Sequence, residues 1–131
     1  MCDVISNNSI DNLYNNILLI NDMLKQETDK LELKAKLFRG FGDMTRLSIL
    51  ESLIEDEKTV TKISEDVKQS QSNVSNHLSC LSECGLVKSR KDGKHRLYSI
   101  GDKRIVKLLK ESDSLLSDIA AGMYACVNYK K

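Results

Sequence analysis

Cys80 and Cys84 stand four residues apart in a stretch whose apolar residues repeat at helical spacing. At that spacing two side chains share one flank of a helix, so the two thiols could grip a single ion. Thiolates prefer soft or borderline metals, which sets the class of ion. A third thiol, Cys126, is available further along, and Cys2 lies near the start. The plain alternative is a pair of small cysteines packed beside a core. Thiol redox chemistry is another, but local geometry weighs against a direct Cys80–Cys84 disulfide. Cβ atoms one helical turn apart are about 6 Å from each other, and a disulfide needs about 4 Å. Either thiol could still pair with Cys126 or form a polysulfide link.

A second group of side chains suits recognition rather than catalysis. On a helical wheel of about 100° per residue, Leu78 and Leu81 fall within about 40° of Val74, so these three face a core. Ser72, Ser75, Asn76, Ser79 and Glu83 lie on the far side. A plain solvated face would carry Lys and Glu. Small hydroxyl and amide groups suit a helix entering a major groove, where Ser, Asn and Gln bond base edges or phosphates. Ser70, Gln71, Ser72 and Asn73 sit at the N-terminal end, where the helix dipole favours phosphate. His77 lies about 60° from Val74, on the shoulder of the core, as a structural or phosphate-contacting histidine.

Charge adds a third group. The chain of 131 residues has a formal net charge of only +1, but the charge is unevenly spread. Residues 1–57 carry 6 basic and 11 acidic side chains, whereas 86–110 carry 9 basic side chains against Asp92 and Asp102 alone. A concentrated basic block in a near-neutral chain can bind phosphate, although a solvated basic face would look the same. Arg90, Lys91, Lys94, His95 and Arg96 flank Asp92-Gly93, a short hairpin signal. Their place on a hairpin tip would lay them along a nucleic-acid backbone or in a minor groove.

The elements that must position these groups follow from periodicity. Apolar residues at Ile10, Leu13, Tyr14, Ile17, Leu18, Ile20 and Leu24 predict a helix over 9–26, which Ser9 could cap. A second helix spans 30–40 and stops at Gly40; a third follows Asp43 with Leu47, Ile49, Leu50, Leu53 and Ile54. Thr59 to Val67 predicts a short helix, Lys68-Gln69 a turn, and Ser70 the N-cap of a helix over 71–84. Gly85 stands where a left-handed C-terminal cap is needed. Leu86-Val87 and Arg96–Ile100 read as strands, and 102–125 as a last helix with Ile105, Leu109, Leu115, Leu116, Ile119 and Met123.

This order predicts a mainly α fold with a β-hairpin wing, a winged helix-turn-helix. It makes one domain over 1–131, with the helix-turn-helix at 59–84 and the wing at 86–100. The helices over 9–26 and 102–125 are too apolar for a monomer of this length to cover. Pairing with a second copy would bury them, and two-fold symmetry is the commonest solution. It would also set two reading helices against two half-sites of double-stranded DNA.

Gly42-Asp43-Met44-Thr45-Arg46-Leu47, Ser70-Gln71-Ser72-Asn73-Val74-Ser75-Asn76-His77-Leu78, and Gly85-Leu86-Val87 with Gly93-Lys94 and Tyr98 resemble the ArsR/SmtB family of metal-responsive repressors. The resemblance covers roughly 33–120 and implies a homodimer that leaves its operator when an inducer binds. Met44 stands where that family usually has proline, which removes a pre-set first turn but no ligand. The stretch Asn76–Val87 is similar to the cadmium- and lead-sensing CmtR-type subgroup. That similarity implies a three-thiolate site of Cys80, Cys84 and Cys126, with Cys2 as a fourth or entry ligand. Three thiolates favour Cd(II) or Pb(II), with Zn(II) as a further candidate that prefers four ligands. Other sites of the family are absent: Lys58–Lys62 has no thiol, and the last helix has Arg104, Leu115 and Asp118 where a zinc site would need other groups.

The remaining classes are narrowed by what is missing. No run of 18 apolar residues exists and the first residues lack a signal-peptide pattern, so a cytoplasmic protein without a membrane span is expected. There is no Gly-rich phosphate loop and no nucleophile–base set among two histidines, which argues against an enzyme. A thiol-redox or persulfide-sensing repressor of the same fold, or a constitutive DNA-binding module with passive cysteines, are the alternatives.

Overall fold

The computed structural model describes the backbone of residues 2–25 and 27–126, and the side chains of 11–22 and 30–126. The chain divides into two compact units, Met1–Arg39 and Gly40–Lys131. The first holds helix α1 (Cys2–Lys25) and most of α2 (Glu27–Phe41). α1 begins seven residues before the expected start, so Ser9 lies within the helix and not at its first turn. Its Leu13, Tyr14, Ile17, Leu18 and Ile20 are all exposed.

The second unit starts with α3 (Met44–Ser52), where the Asp43 carboxylate accepts the Arg46 N–H at 2.9 Å. Thr59 caps α4 (Val60–Val67) in the same way, accepting from Lys62 N–H at 3.2 Å. Ser70 caps α5 (Gln71–Glu83), accepting from Asn73 N–H at 3.1 Å. Each such cap satisfies an orphan helix donor and contributes about 1 kcal/mol. The chain then forms β1 (Val87–Asp92), β2 (His95–Ile100) and α6 (Lys103–Ala125), capped by Asp102. This is the expected mainly α fold with a β-hairpin wing.

β1 and β2 pair antiparallel from Val87↔Ile100 to Asp92↔His95, so the turn is Gly93-Lys94, one residue later than Asp92-Gly93 suggested. Gly93 has φ +61 and Lys94 does not share the positive φ, the pattern of a type II′ hairpin turn. Ile49, Leu50, Leu53, Ile63, Val74, Leu78, Leu81, Leu86, Val87 and Leu109 form one buried core drawn from α3, α4, α5, β1 and α6. Burying each aliphatic side chain is worth roughly 1.5–3 kcal/mol, so this cluster orients α5. Beyond Leu109, α6 leaves Leu115, Leu116, Ile119 and Met123 exposed. No helix among the described residues is long and apolar enough to cross a membrane.

Candidate nucleic-acid interface

α5 is held so that one face is free. Val74, Leu78 and Leu81 are at most 1% exposed, as the wheel predicts, while Gln71, Ser72, Ser75, Asn76 and Ser79 face solvent. Asn73 and His77 are half-buried at the edges. Asn73 is tied down further: its Nδ2 donates to Gln69 Oε1 at 2.9 Å. The Asp43 carboxyl is held below its ordinary range chiefly by the Arg46 N–H, with the Arg46 and His77 charges adding to it.

The turn between α4 and α5 depends on a residue that the pattern of apolar positions does not reveal. Ser64 Oγ donates to the Gln69 carbonyl at 2.5 Å, and the Ser64 carbonyl accepts the Gln69 N–H at 3.2 Å. Between them Lys68 takes φ 57, ψ 45, a left-handed conformation uncommon outside glycine and asparagine. Only Ser64's hydroxyl at a helix end could have hinted at this.

At the other end α5 closes with a Schellman motif. Gly85 N–H donates to the Ser82 carbonyl at 3.1 Å and Leu86 N–H to the Leu81 carbonyl at 2.9 Å, with Gly85 at φ +77. Cys84 is the C-cap itself, one residue beyond the helix, and its N–H donates to the Cys80 carbonyl at 3.1 Å. Cys80 and Cys84 are both exposed free thiols, off the buried face. Cys126 is the half-buried C-cap of α6. Among the described residues of one chain, no three His, Cys, Asp or Glu side chains come together as a metal cage. The Cys2 side chain lies outside the described residues.

The wing carries the basic block to an exposed tip. Lys91, Lys94, His95 and Arg96 are all exposed. Register sets Lys91 directly opposite Arg96, and Arg96 Nη1 donates to Ser89 Oγ at 3.0 Å. Arg90 is already engaged: its guanidinium makes a two-point ion pair with the Glu57 carboxylate, Nε to Oε2 at 2.9 Å and Nη2 to Oε1. That pair holds the Glu57 carboxyl below the usual range.

A polar helix face at the end of a helix-turn-helix, with a basic hairpin beside it, defines a winged helix-turn-helix DNA-binding protein. The model of the family "Bacterial regulatory protein, arsR family" matches residues 43–89. A probable mercury resistance operon repressor of Streptomyces lividans is 41% identical over 92 residues, 70% of this chain and 74% of that protein. The HTH-type transcriptional regulator CmtR of Mycobacterium bovis is 36% identical over 77 residues, 59% of this chain and 65% of that protein. The solution structure of a homodimeric winged helix-turn-helix DNA-binding domain from M. bovis superposes with a TM-score of 0.65 at 23% identity. That match covers 73% of this chain and 88% of the domain. The chain belongs to the arsR family, whose members are DNA-binding transcriptional regulators and not enzymes. The resemblance read from Gly42–Leu47 and Ser70–Leu78 is borne out.

Proposed function

We propose that the chain is a cytoplasmic, homodimeric repressor that binds double-stranded operator DNA and is released by a soft metal ion. The ion would be Cd(II) or Pb(II), with Zn(II) as a third candidate, bound by the thiolates of Cys80, Cys84 and Cys126, with Cys2 as a further ligand. The observation that carries this reading is the placement of Cys80 and Cys84. Both thiols are exposed and one turn apart, Cys80 on α5 and Cys84 at its C-cap, on the helix that also presents Ser72, Ser75 and Asn76 to solvent. Buried structural cysteines would face Leu78 and Leu81 instead.

Donor chemistry supports a soft ion, since thiolates discriminate against hard cations. The similarity to a mercury resistance operon repressor supports the same class. The exposed apolar residues of α1, and separately those of α6, support the second copy.

DNA would meet the N-terminal end of α5 through Ser70, Gln71, Ser72 and Asn73, the exposed face through Ser75 and Asn76, and the wing tip through Lys91, Lys94, His95 and Arg96. A thiolate-bound ion would tie the end of α5 to the C-terminal region, making the orientation of α5 depend on occupancy. Metal and operator then oppose each other with one reciprocal coupling energy. Anaerobic titration of reduced protein with Cd(II) tests the reading. Thiolate-to-metal absorption should appear, weaken in Cys80→Ser, Cys84→Ser and Cys126→Ser, and accompany loss of operator affinity. Unchanged operator affinity at saturating Cd(II) would sink it.

A further inference from the structure

Both strands of the wing are held by two consecutive residues of the loop between α3 and α4. Lys58 N–H donates to the Tyr98 carbonyl at 2.9 Å and Tyr98 N–H to the Lys58 carbonyl at 2.8 Å, a one-residue third strand beside β2. Its neighbour Glu57 reaches past β2 to β1, where it takes both arms of Arg90. The loop is itself anchored, because Lys58 Nζ donates to Asp66 Oδ2 of α4 at 2.7 Å and Asp66 also pairs with Lys62 at 3.0 Å. Val87, Tyr98 and Ile100 anchor the base of the hairpin on the core, and these ties extend that hold toward its tip.

The cations of the wing differ in how well they are satisfied. Arg90 has a carboxylate in two-point geometry, the strong form of such a contact. Lys91 and Arg96 are opposed across the strands and neither has an ion-pair partner among the described residues. Like charges directly opposite on a sheet are destabilising, and an anion between them relieves the repulsion.

We propose that Glu57 and Arg90 form a strap that fixes the wing against the body, so that Arg90 positions the wing while Lys91 and Arg96 receive phosphate. This rests on the operator-binding reading only for its second half. The strap exists in the free protein.

Two measurements separate the roles. In the DNA-free protein, hydrogen exchange of the amides over 88–99 should speed up in Arg90→Ala and in Glu57→Gln. The exchanged pair Glu57→Arg with Arg90→Glu should restore protection, and Lys91→Ala, which relieves the repulsion with Arg96, should not speed exchange. With a labelled mixed-sequence duplex, Lys91→Ala and Arg96→Ala should each lower the slope of log affinity against log salt by about 0.9, one phosphate each. Arg90→Ala should keep the slope and weaken binding by no more than about fivefold, the scale of one exposed ion pair. A slope loss of that size in Arg90→Ala, or tighter binding by Glu57→Gln, would show Arg90 to be a phosphate ligand and Glu57 its competitor, overturning the proposal. Unaltered exchange in Arg90→Ala, or failure of the exchanged pair to restore protection, overturns it equally. If the wild-type protein bound no duplex at all, operator binding and the phosphate assignment would fall together, and the exchange arm would still decide the strap.

Discussion

A Cβ placed on Gly101 would stand 2.3 Å from the carbonyl oxygen of Gly85, so the two backbones touch where no side chain fits. The Gly101 N–H donates to the Leu86 carbonyl at 2.9 Å in the same joint. Gly85 follows Cys84 at the end of α5, and Gly101 precedes the cap of α6. The joint therefore couples the end of the reading helix directly to the start of the last helix, through backbone that cannot deform cheaply.

Gly101→Ala should destabilise the fold by about 1–3 kcal/mol, since backbone must move to admit the methyl group. Gly85→Ala has open space around its Cβ and should cost only about 0.5–1 kcal/mol, the left-handed penalty less the chain entropy that alanine saves. Urea denaturation of both variants checks this. A Gly101→Ala protein as stable as wild type would mean that the joint yields.

Lys68 offers a gain. Its side chain is exposed and its backbone sits in the left-handed region, where a Cβ is crowded against the following carbonyl. Lys68→Gly should raise stability by roughly 0.5–1 kcal/mol, after the added chain entropy of glycine is subtracted. Thermal unfolding should show a higher midpoint with unchanged duplex affinity.

Acid should weaken the protein through Asp43. Its carboxyl is lowered in the folded state, first by the Arg46 N–H, so the stabilisation is present above the unfolded value near pH 4 and disappears as pH falls through the lower folded value. Unfolding midpoints should therefore drop from about pH 4 downward. Asp43→Asn keeps a capping oxygen and removes the titration, so its acid limb should be shallower. An identical acid limb in the variant would place the sensitivity elsewhere.

The second copy can be tested on α6. Leu116 and Ile119 are 48% and 43% exposed, so a charge at either position leaves the core of the single chain untouched. Leu116→Glu should keep helical circular dichroism yet shift sedimentation from dimer toward monomer. A variant that stays dimeric would move the interface off this face.

Local chemistry made much of the fold legible. Caps at Asp43 and Ser70, glycine after Cys84, and the Val74, Leu78, Leu81 stripe are all properties of residues within a turn or two of one another. They locate the helix-turn-helix and the face it leaves free. What the sequence could not decide was set by residues distant along the chain. Arg90 is committed to Glu57, 33 positions earlier, and Lys58 pairs with Tyr98, because only the folded chain brings that loop to the wing. The start of α1 at Cys2 and the turn at Gly93-Lys94 also departed from the pattern, since neither a polar run nor one dipeptide sets a boundary by itself. The thiols divide the same way. Spacing alone put Cys80 and Cys84 one helical turn apart, and tertiary packing left both thiols in solvent by burying the Val74, Leu78, Leu81 stripe beside them.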